Sequence, residues 1–378
     1  MLYLDHAATS PVRPEVLEAM HPYLTGIFGN PSSHHTVGEA AERALEDARS
    51  RVARVLGMRT GDVIFTAGGT EANNLAVKGI VLAALANGRH HLVTTPIEHE
   101  SILESAAFLE RFHGVTVTHL PVDEAGRVSP DALAAALRED TALVSLGHAN
   151  NEIGTVQDAA SLTQVAREAR VPLHLDAVQS AGWLPLAGLG ADAVSIAGHK
   201  LGAPKGIGAL AVRGRVPLEP LLHGGGQERG RRSGTENVAG AVGLATALEL
   251  ADAERSSRAE HVGALTARFI TRVLELLPHA ALTGDPASRL PGVASFTLAG
   301  VSGESVLLEL ERRGVISSSG SACAAGSDEP SHVLLACGIA PEIAQTSVRF
   351  TFGHEPLPED APERLAALVA DAAAAVSG

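Results

Sequence analysis

The chain has 378 residues, 45% hydrophobic and 19% charged, with 43 acidic against 29 basic residues and a formal net charge of −14. That length points to two domains around a large core; the apolar share excludes disorder, and the lack of a glycine period excludes collagen. So acidic a chain repels polyphosphate, which argues against nucleic-acid binding, and aromatics at 3% leave Leu, Val, Ile and Ala to build a helix-rich α/β core.

In chain order, an amphipathic helix is expected over Val37–Leu56 and a strand over Asp62–Thr66 that runs into Gly68-Gly69-Thr70. Helix Glu71–Ala86, strand His91–Thr95, helix Ser101–Phe112 and strand Val115–Leu120 follow. Next come helix Pro130–Leu137, strand Ala142–His148, helix Ala159–Arg170 and strand Leu173–Asp176, then strands Ala193–Ala197 and Gly208–Val212. Strands alternating with helices of ten or so residues imply crossover units and a mostly parallel, doubly covered sheet. After Glu236 a long helical stretch runs to about Leu277, with a soft point near Arg255-Ser256-Ser257. Strand Val293–Leu298, helix Glu304–Arg312, a small-residue loop over Ser317–Glu329, strand Ser347–Thr351 and helix Glu359–Val376 read as a smaller α+β domain. The division expected is residues 16–254 as the large domain, and 1–15 with 255–378 as the small one.

The opening MLYLDHAATS has no basic region before an apolar stretch, so no signal peptide is expected. No apolar run reaches membrane-spanning length, about 18 residues. Two cysteines, Cys323 and Cys337, are too few for a disulfide framework, and a reducing cytoplasm is the expected compartment. The basic cluster Arg229, Arg231 and Arg232 reads either as a solvated turn or as a small-anion site.

In open α/β sheets ligands sit beyond the carboxyl ends of the strands, and the chemistry-bearing residues collect there. Gly68-Gly69-Thr70 is either an ordinary helix start with Thr70 as the cap or an anion site at a helix N-terminus. Asp176, between apolar neighbours, is either a paired structural acid or a carboxylate aimed at a protonated ring nitrogen. The chain has only three lysines. Lys78 lies on a helix, Lys205 in a Pro/Gly turn, and Lys200 directly after a buried strand, which makes Lys200 the best Schiff-base candidate. Cys323 lies in a loop without large apolar side chains, where reactivity explains a cysteine better than packing does. Cys337, beside Leu334, Leu335 and Ile339, reads as core. The 17 histidines show none of the spacings that define zinc sites, so no metal is expected.

Taken together, TAGGTEANN at Thr66–Asn74, NNEIG at Asn150–Gly154, DAVQ at Asp176–Gln179, GHK at Gly198–Lys200, RSGT at Arg232–Thr235 and SSGSAC at Ser318–Cys323 resemble the cysteine desulfurases. LDHAAT at Leu4–Thr9 and GNPSS at Gly29–Ser33 match as well, so the resemblance spans nearly the whole chain in order. The SSGSAC loop, followed by EPSHVL, is similar to the housekeeping and nitrogen-fixation branch of that pyridoxal-phosphate family, within aminotransferase class V.

The resemblance implies the fold type I architecture, with a large domain on a mostly parallel seven-stranded sheet and a smaller α+β domain. It implies that Lys200 tethers pyridoxal 5'-phosphate, that Asp176 pairs with the pyridine nitrogen, and that Gln179 bonds the ring oxygen. His99, in IEHES, would stack on the ring and move protons. Gly69, Thr70, Gly198, His199 and, from a second subunit, Thr235 would bind the phosphate. Asn151 would lie beside cofactor and substrate, and Arg349 with Asn30 would take the substrate carboxylate. Cys323 would attack the sulfur of L-cysteine, leaving a persulfide and alanine. A homodimer and a sulfur acceptor such as an iron–sulfur scaffold are the implied partners. A selenocysteine lyase, a class V aminotransferase and an inactive sulfur-carrier scaffold are the rival readings; Cys323 argues against the aminotransferase, and Lys200, Asp176, His99 and Cys323 together against the scaffold. One departure stands out: Ala197 occupies the place where the family usually has a serine, so one phosphate donor is missing.

Overall fold

The computed structural model describes residues 1–320, 329–353, 355 and 357–377. Its strands are β1 (Leu2–Tyr3), β2 (Val63–Thr66), β3 (His91–Thr94), β4 (Thr116–His119), β5 (Thr141–Gly147), β6 (Leu173–Asp176), β7 (Ala193–Ala197), β8 (Gly208–Val212), β9 (Ala280–Leu282), β10 (Val293–Leu298), β11 (Val315–Ile316) and β12 (Ser347–Thr351). The main sheet has seven strands in the order β2-β8-β7-β6-β5-β3-β4. It is parallel from β4 to β7, while β8 runs antiparallel to both β7 and β2. Strands β2, β6 and β7 are buried along their whole length, as expected where helices cover both faces of a parallel sheet. One apolar core, with Val144, Leu175 and Leu248, lies on one face; a second, with Ile64, Leu92 and Ile102, lies on the other.

A separate core forms around the antiparallel sheet β12-β10-β9. It holds four of the chain's eight phenylalanines. Phe269 stands edge-on to Phe350 at 5.1 Å and to Phe296 at 6.0 Å, the arrangement aromatic quadrupoles favour. The scarce aromatic content is thus concentrated in the smaller core. Strand β1 pairs in parallel with β11, so the N-terminus joins that region.

Three expectations change. The soft point near Arg255 is absent: one helix runs over Val238–Leu276. Its buried residues pass from the sheet core (Leu244, Leu248, Ala251) to the smaller core (Val262, Phe269, Val273), and Ser256 and Ser257 are exposed in between, where their weak helix propensity costs only tenths of a kcal/mol. The helix expected over Glu71–Ala86 begins at Gly69 and contains a wide π turn over Leu75–Gly79. There the Gly79 carbonyl accepts from the backbone of Glu219 (2.9 Å). Helix Pro14–Thr25 and the short strands β1, β9 and β11 escape a periodicity reading, because Pro22 interrupts the first and two or three residues show no period. Among the described residues no helix is long and apolar enough to cross a membrane.

The Arg229–Arg232 cluster is a set of structural contacts. Arg229 pairs with Glu46 (3.0 Å), Arg232 with Glu71 (2.8 Å), and Arg231 donates to the Gly61 carbonyl (2.8 Å). Beneath them Arg49 and Glu228, 2% and 5% exposed, form a bidentate pair. Glu228 also accepts from the backbone of Phe65 (3.1 Å), and Arg49 donates to the Val63 carbonyl (3.0 Å) and lies over the Phe65 ring. The pair therefore fixes β2, and with it the approach to Gly68-Gly69-Thr70. It also holds Glu228 and Arg229 at φ 49° and 59°, a left-handed conformation that costs non-glycine residues about 1–2 kcal/mol each.

Removing one charge of a buried pair leaves the other uncompensated. Glu228→Gln should therefore cost about 3–5 kcal/mol in urea unfolding, and adding Arg49→Met should recover part of that loss. Equal losses in the single and double variants would show that the pair is not coupled.

Candidate active site

The carboxyl ends of β2, β5, β6 and β7 open onto one chamber of about 1040 Å³. Its wall brings together Gly69 and Thr70 after β2, Asn151 after β5, Asp176 and Gln179 at β6, and His199 and Lys200 at β7, with His99 and Arg349 facing the same space. Gly198 opens the tight turn Gly198–Lys200 that delivers His199 and Lys200. Asn30 and Thr235 are exposed and do not line this chamber. Cys323 lies outside the described residues; Gly320, three positions before it, is part of the chamber wall.

Backbone packing dictates the floor. A Cβ at Gly69 would lie 2.9 Å from Val178 and 3.2 Å from Ala197; one at Gly208 would meet the Gly68 backbone at 2.7 Å. Glycines let the helix start press against the strand ends. Thr70 is not the cap: Gly68 holds that position with extended backbone, and Thr70 sits inside the first turn. The first-turn N–H groups of such a helix have no intrahelical acceptors, and Gly69, Thr70 and Glu71 of that turn line the chamber.

Lys200 Nζ donates to the carbonyls of Ala7 and, at 2.7 Å, Ala8. Gln179 donates to the Ala7 carbonyl as well (3.0 Å). The LDHAAT segment thus binds the lysine directly, a contact with no sequence signal. Lys205 is exposed at the chamber rim, and Lys78 donates to Asn74 (2.7 Å) and lies over Phe108, away from the chamber. His199, against Thr9, is pushed down to about 4, first by burial and then by the charges of Lys200 and Lys205; it enters neutral chemistry as a neutral imidazole.

Asp176, 9% exposed, accepts from the Val178 backbone (2.9 Å) and from the Asn73 amide (2.7 Å). Arg349, 2% exposed, donates to Asp5 (2.7 Å) and to the Asn151 carbonyl (2.8 Å). The guanidinium expected to await a carboxylate thus already holds one, while its Nε–H has no partner among the described residues. His174, two positions before Asp176, is a core residue: its ring lies between Ser145 and Ser195 at 2.9 and 2.8 Å, and burial pushes it down to about 3.

The sequence reading passed over Asn73, Ser101 and Glu98. Glu98 is buried beside Asp176 and accepts from Thr95 (2.6 Å). Burial pushes its carboxyl up to about 7, and the Asp176 charge adds to the rise. Its only signal was an acid just beyond the end of strand His91–Thr94, the region in which Asp176 was singled out.

The aminotransferase class V family model matches residues 2–361. This chain belongs to the class V aminotransferases. It is 46% identical to the cysteine desulfurase IscS of Dictyoglomus turgidum over 361 residues, covering 95% of this chain and 91% of that protein. It is 45% identical to the IscS-like cysteine desulfurase of Mycobacterium tuberculosis over 375 residues, 97% and 95% of the two chains. A solved structure described as a NifS-like protein superposes with a TM-score of 0.90 at 34% identity, over 98% of each chain. Class V aminotransferases and their cysteine desulfurase members depend on pyridoxal 5'-phosphate. The chamber fits that group: a carboxylate, an amine, a neutral imidazole and a helix start built on glycines surround a space large enough for it.

A buried acid whose folded pKa exceeds its unfolded value near 4.5 favours the native state less as pH rises through about 7. Glu98→Gln removes that penalty. It should raise unfolding stability at pH 8 by about 3 kcal/mol and give no gain at pH 4.5, with both proteins saturated with cofactor. Equal gains at both pH values would refute the buried-acid account.

Proposed function

We propose that this class V aminotransferase family member is a cysteine desulfurase, converting L-cysteine to L-alanine and passing the sulfur to Cys323 as a persulfide. The observation that carries the reading is the convergence of Lys200, Asp176, His99 and Arg349 on one chamber whose wall includes Gly320, the shoulder of the SSGSAC segment. Bound there, pyridoxal phosphate supplies an electron sink at the substrate α carbon.

The resemblance to the cysteine desulfurases implies the roles, and the chamber lining supports those of the residues that reach it. Lys200 tethers the cofactor and moves the α proton. Asp176 pairs with the ring nitrogen, Gln179 with the ring oxygen, and His99 covers the ring. Gly69, Thr70, Gly198 and His199 hold the phosphate. Arg349, with Asn151, seats the substrate carboxylate, and the unpartnered Nε–H supports this role; the part of Asn30 in it rests on the resemblance alone, since Asn30 does not line its own chamber. Thr235, exposed and away from its own chamber, suits a homodimer in which it serves the other copy's phosphate. The Cys323 thiolate attacks the substrate sulfur; the Cβ–S bond breaks, an S–S bond forms, and the carbon skeleton takes up protons to become alanine. The persulfide then passes to an acceptor, for which an iron–sulfur scaffold in the cytoplasm is the reading. Residues 16–254 carry the cofactor, and 1–15 with 255–378 carry Arg349 and Cys323.

Incubation with L-cysteine should add one sulfur to Cys323, seen by mass spectrometry, with alanine released in step. Cys323→Ser should abolish alanine release, and Lys200→Ala should abolish both turnover and visible cofactor absorption. Cys337 is 5% exposed, and burial pushes its thiol up to about 11; Cys337→Ser should leave turnover intact. Normal alanine release by Cys323→Ser would end the persulfide reading.

A further inference from the structure

Asn73 is 2% exposed and Ser101, at the start of helix Glu100–His113, 6% exposed; both belong to the chamber wall. The Asn73 amide nitrogen carries two protons. One goes to Asp176 Oδ2 (2.7 Å), the other to Ser101 Oγ (2.9 Å). A carboxylate only accepts, so the NH₂ group must face Asp176, and the Asn73 oxygen is left buried with no partner among the described residues. That orphan oxygen costs free energy, which the placement of the two protons must offset.

The chain of bonds continues. The Ser101 backbone donates to His99 Nδ1 (3.0 Å), and the Ser101 hydroxyl lies 2.9 Å from the same nitrogen. A backbone N–H can only donate, so Nδ1 is an acceptor and the proton of the neutral imidazole sits on Nε2. Because Ser101 Oγ accepts from Asn73, its own proton is directed to His99. A single buried amide therefore connects the residue read as the ring-nitrogen partner with the residue read as the ring cover.

We propose that Asn73, acting through Ser101, is a positioning residue that fixes Asp176 and the Nε2-protonated tautomer of His99 together on the cofactor. The inference rests on the cofactor roles assigned above to Asp176 and His99. The side-chain bonds of Asn73 and Ser101 run to Asp176 and His99, so each acts through a neighbour. Ser101 is itself anchored by the Ser105 hydroxyl, which donates to its carbonyl (2.6 Å), so the middle of the chain cannot drift.

The test uses nitrogen NMR on protein labelled at histidine nitrogens, before and after pyridoxal phosphate is added, with the His99 signals assigned by their loss in His99→Gln. Wild type should show a bare Nδ1 and a protonated Nε2. Ser101→Ala leaves Asn73 on Asp176 and the backbone N–H on Nδ1 but removes the hydroxyl donor; it should shift the Nδ1 signal toward that of a more weakly bonded nitrogen and lower the share of the Nε2-protonated tautomer, and Ser101→Thr should restore both. Asn73→Ala should produce the same shift and weaken pyridoxal phosphate binding by about tenfold, the scale of one hydrogen bond to a charged group. A protonated Nδ1 in wild type would overturn the proposal. So would unchanged His99 signals in Ser101→Ala, or unchanged cofactor affinity in Asn73→Ala, since a merely structural role would lower stability alone. No measurement here involves L-cysteine, so failure of sulfur transfer to Cys323 would leave these results standing, and their failure would leave desulfuration standing.

Discussion

The Asp5–Arg349 ion pair is the contact on which the chamber depends. Arg349 belongs to β12 in the smaller core, and Asp5 opens the segment that crosses to the main sheet. Around the pair, the Ala7 backbone donates to Thr351 (2.9 Å) and that of Ser10 to the His199 carbonyl (2.8 Å). The segment is thereby stretched between two sheets, with its Ala7 and Ala8 carbonyls turned to Lys200 and Gln179. Burying two charges is expensive unless the remaining donors are satisfied; here backbone carbonyls of Asn151 and Gly320 take up Arg349 Nη1. One ion pair thus determines where the lysine amine rests and how the Gly320 shoulder meets the chamber.

The chamber wall mixes acids, Asp176 and Glu98, with the cationic groups of Lys200 and Arg349. Asn73 already donates to Asp176, and Asp5 already occupies Arg349. The buried histidines His174, His148 and His91 are pushed down by burial and hydrogen-bonded to hydroxyls, serines for the first two and Thr141 and Thr118 for His91. They belong to the sheet and not to the chemistry.

Much of this was legible in the sequence because strand ends announce themselves. Short apolar runs closing on Gly-Gly-Thr, Asp or Gly-His-Lys marked β2, β6 and β7, and the sheet's crossover topology then brought those ends to one place. What escaped was set by tertiary distance. Asp5 and Arg349 are 344 positions apart, and Asn73 meets Asp176 across 103; no local period encodes either contact. Glu98 could have been noticed as an acid just past a strand end, but its raised carboxyl comes first from burial by the folded sheet and only then from Asp176, and neither is local in sequence. The long helix was misjudged at Ser256-Ser257 because propensity is weak against packing at both ends.

That helix has a mechanical consequence. At about 1.5 Å per residue, the 39 residues of Val238–Leu276 form a rod of about 58 Å whose first half lies in the sheet core and whose second half lies in the phenylalanine core. Loss of either core would strip the other of a helix face, and fraying of the rod would have to cross both. The helix thereby ties one face of the main sheet to the phenylalanine core, and the two should unfold as one cooperative unit.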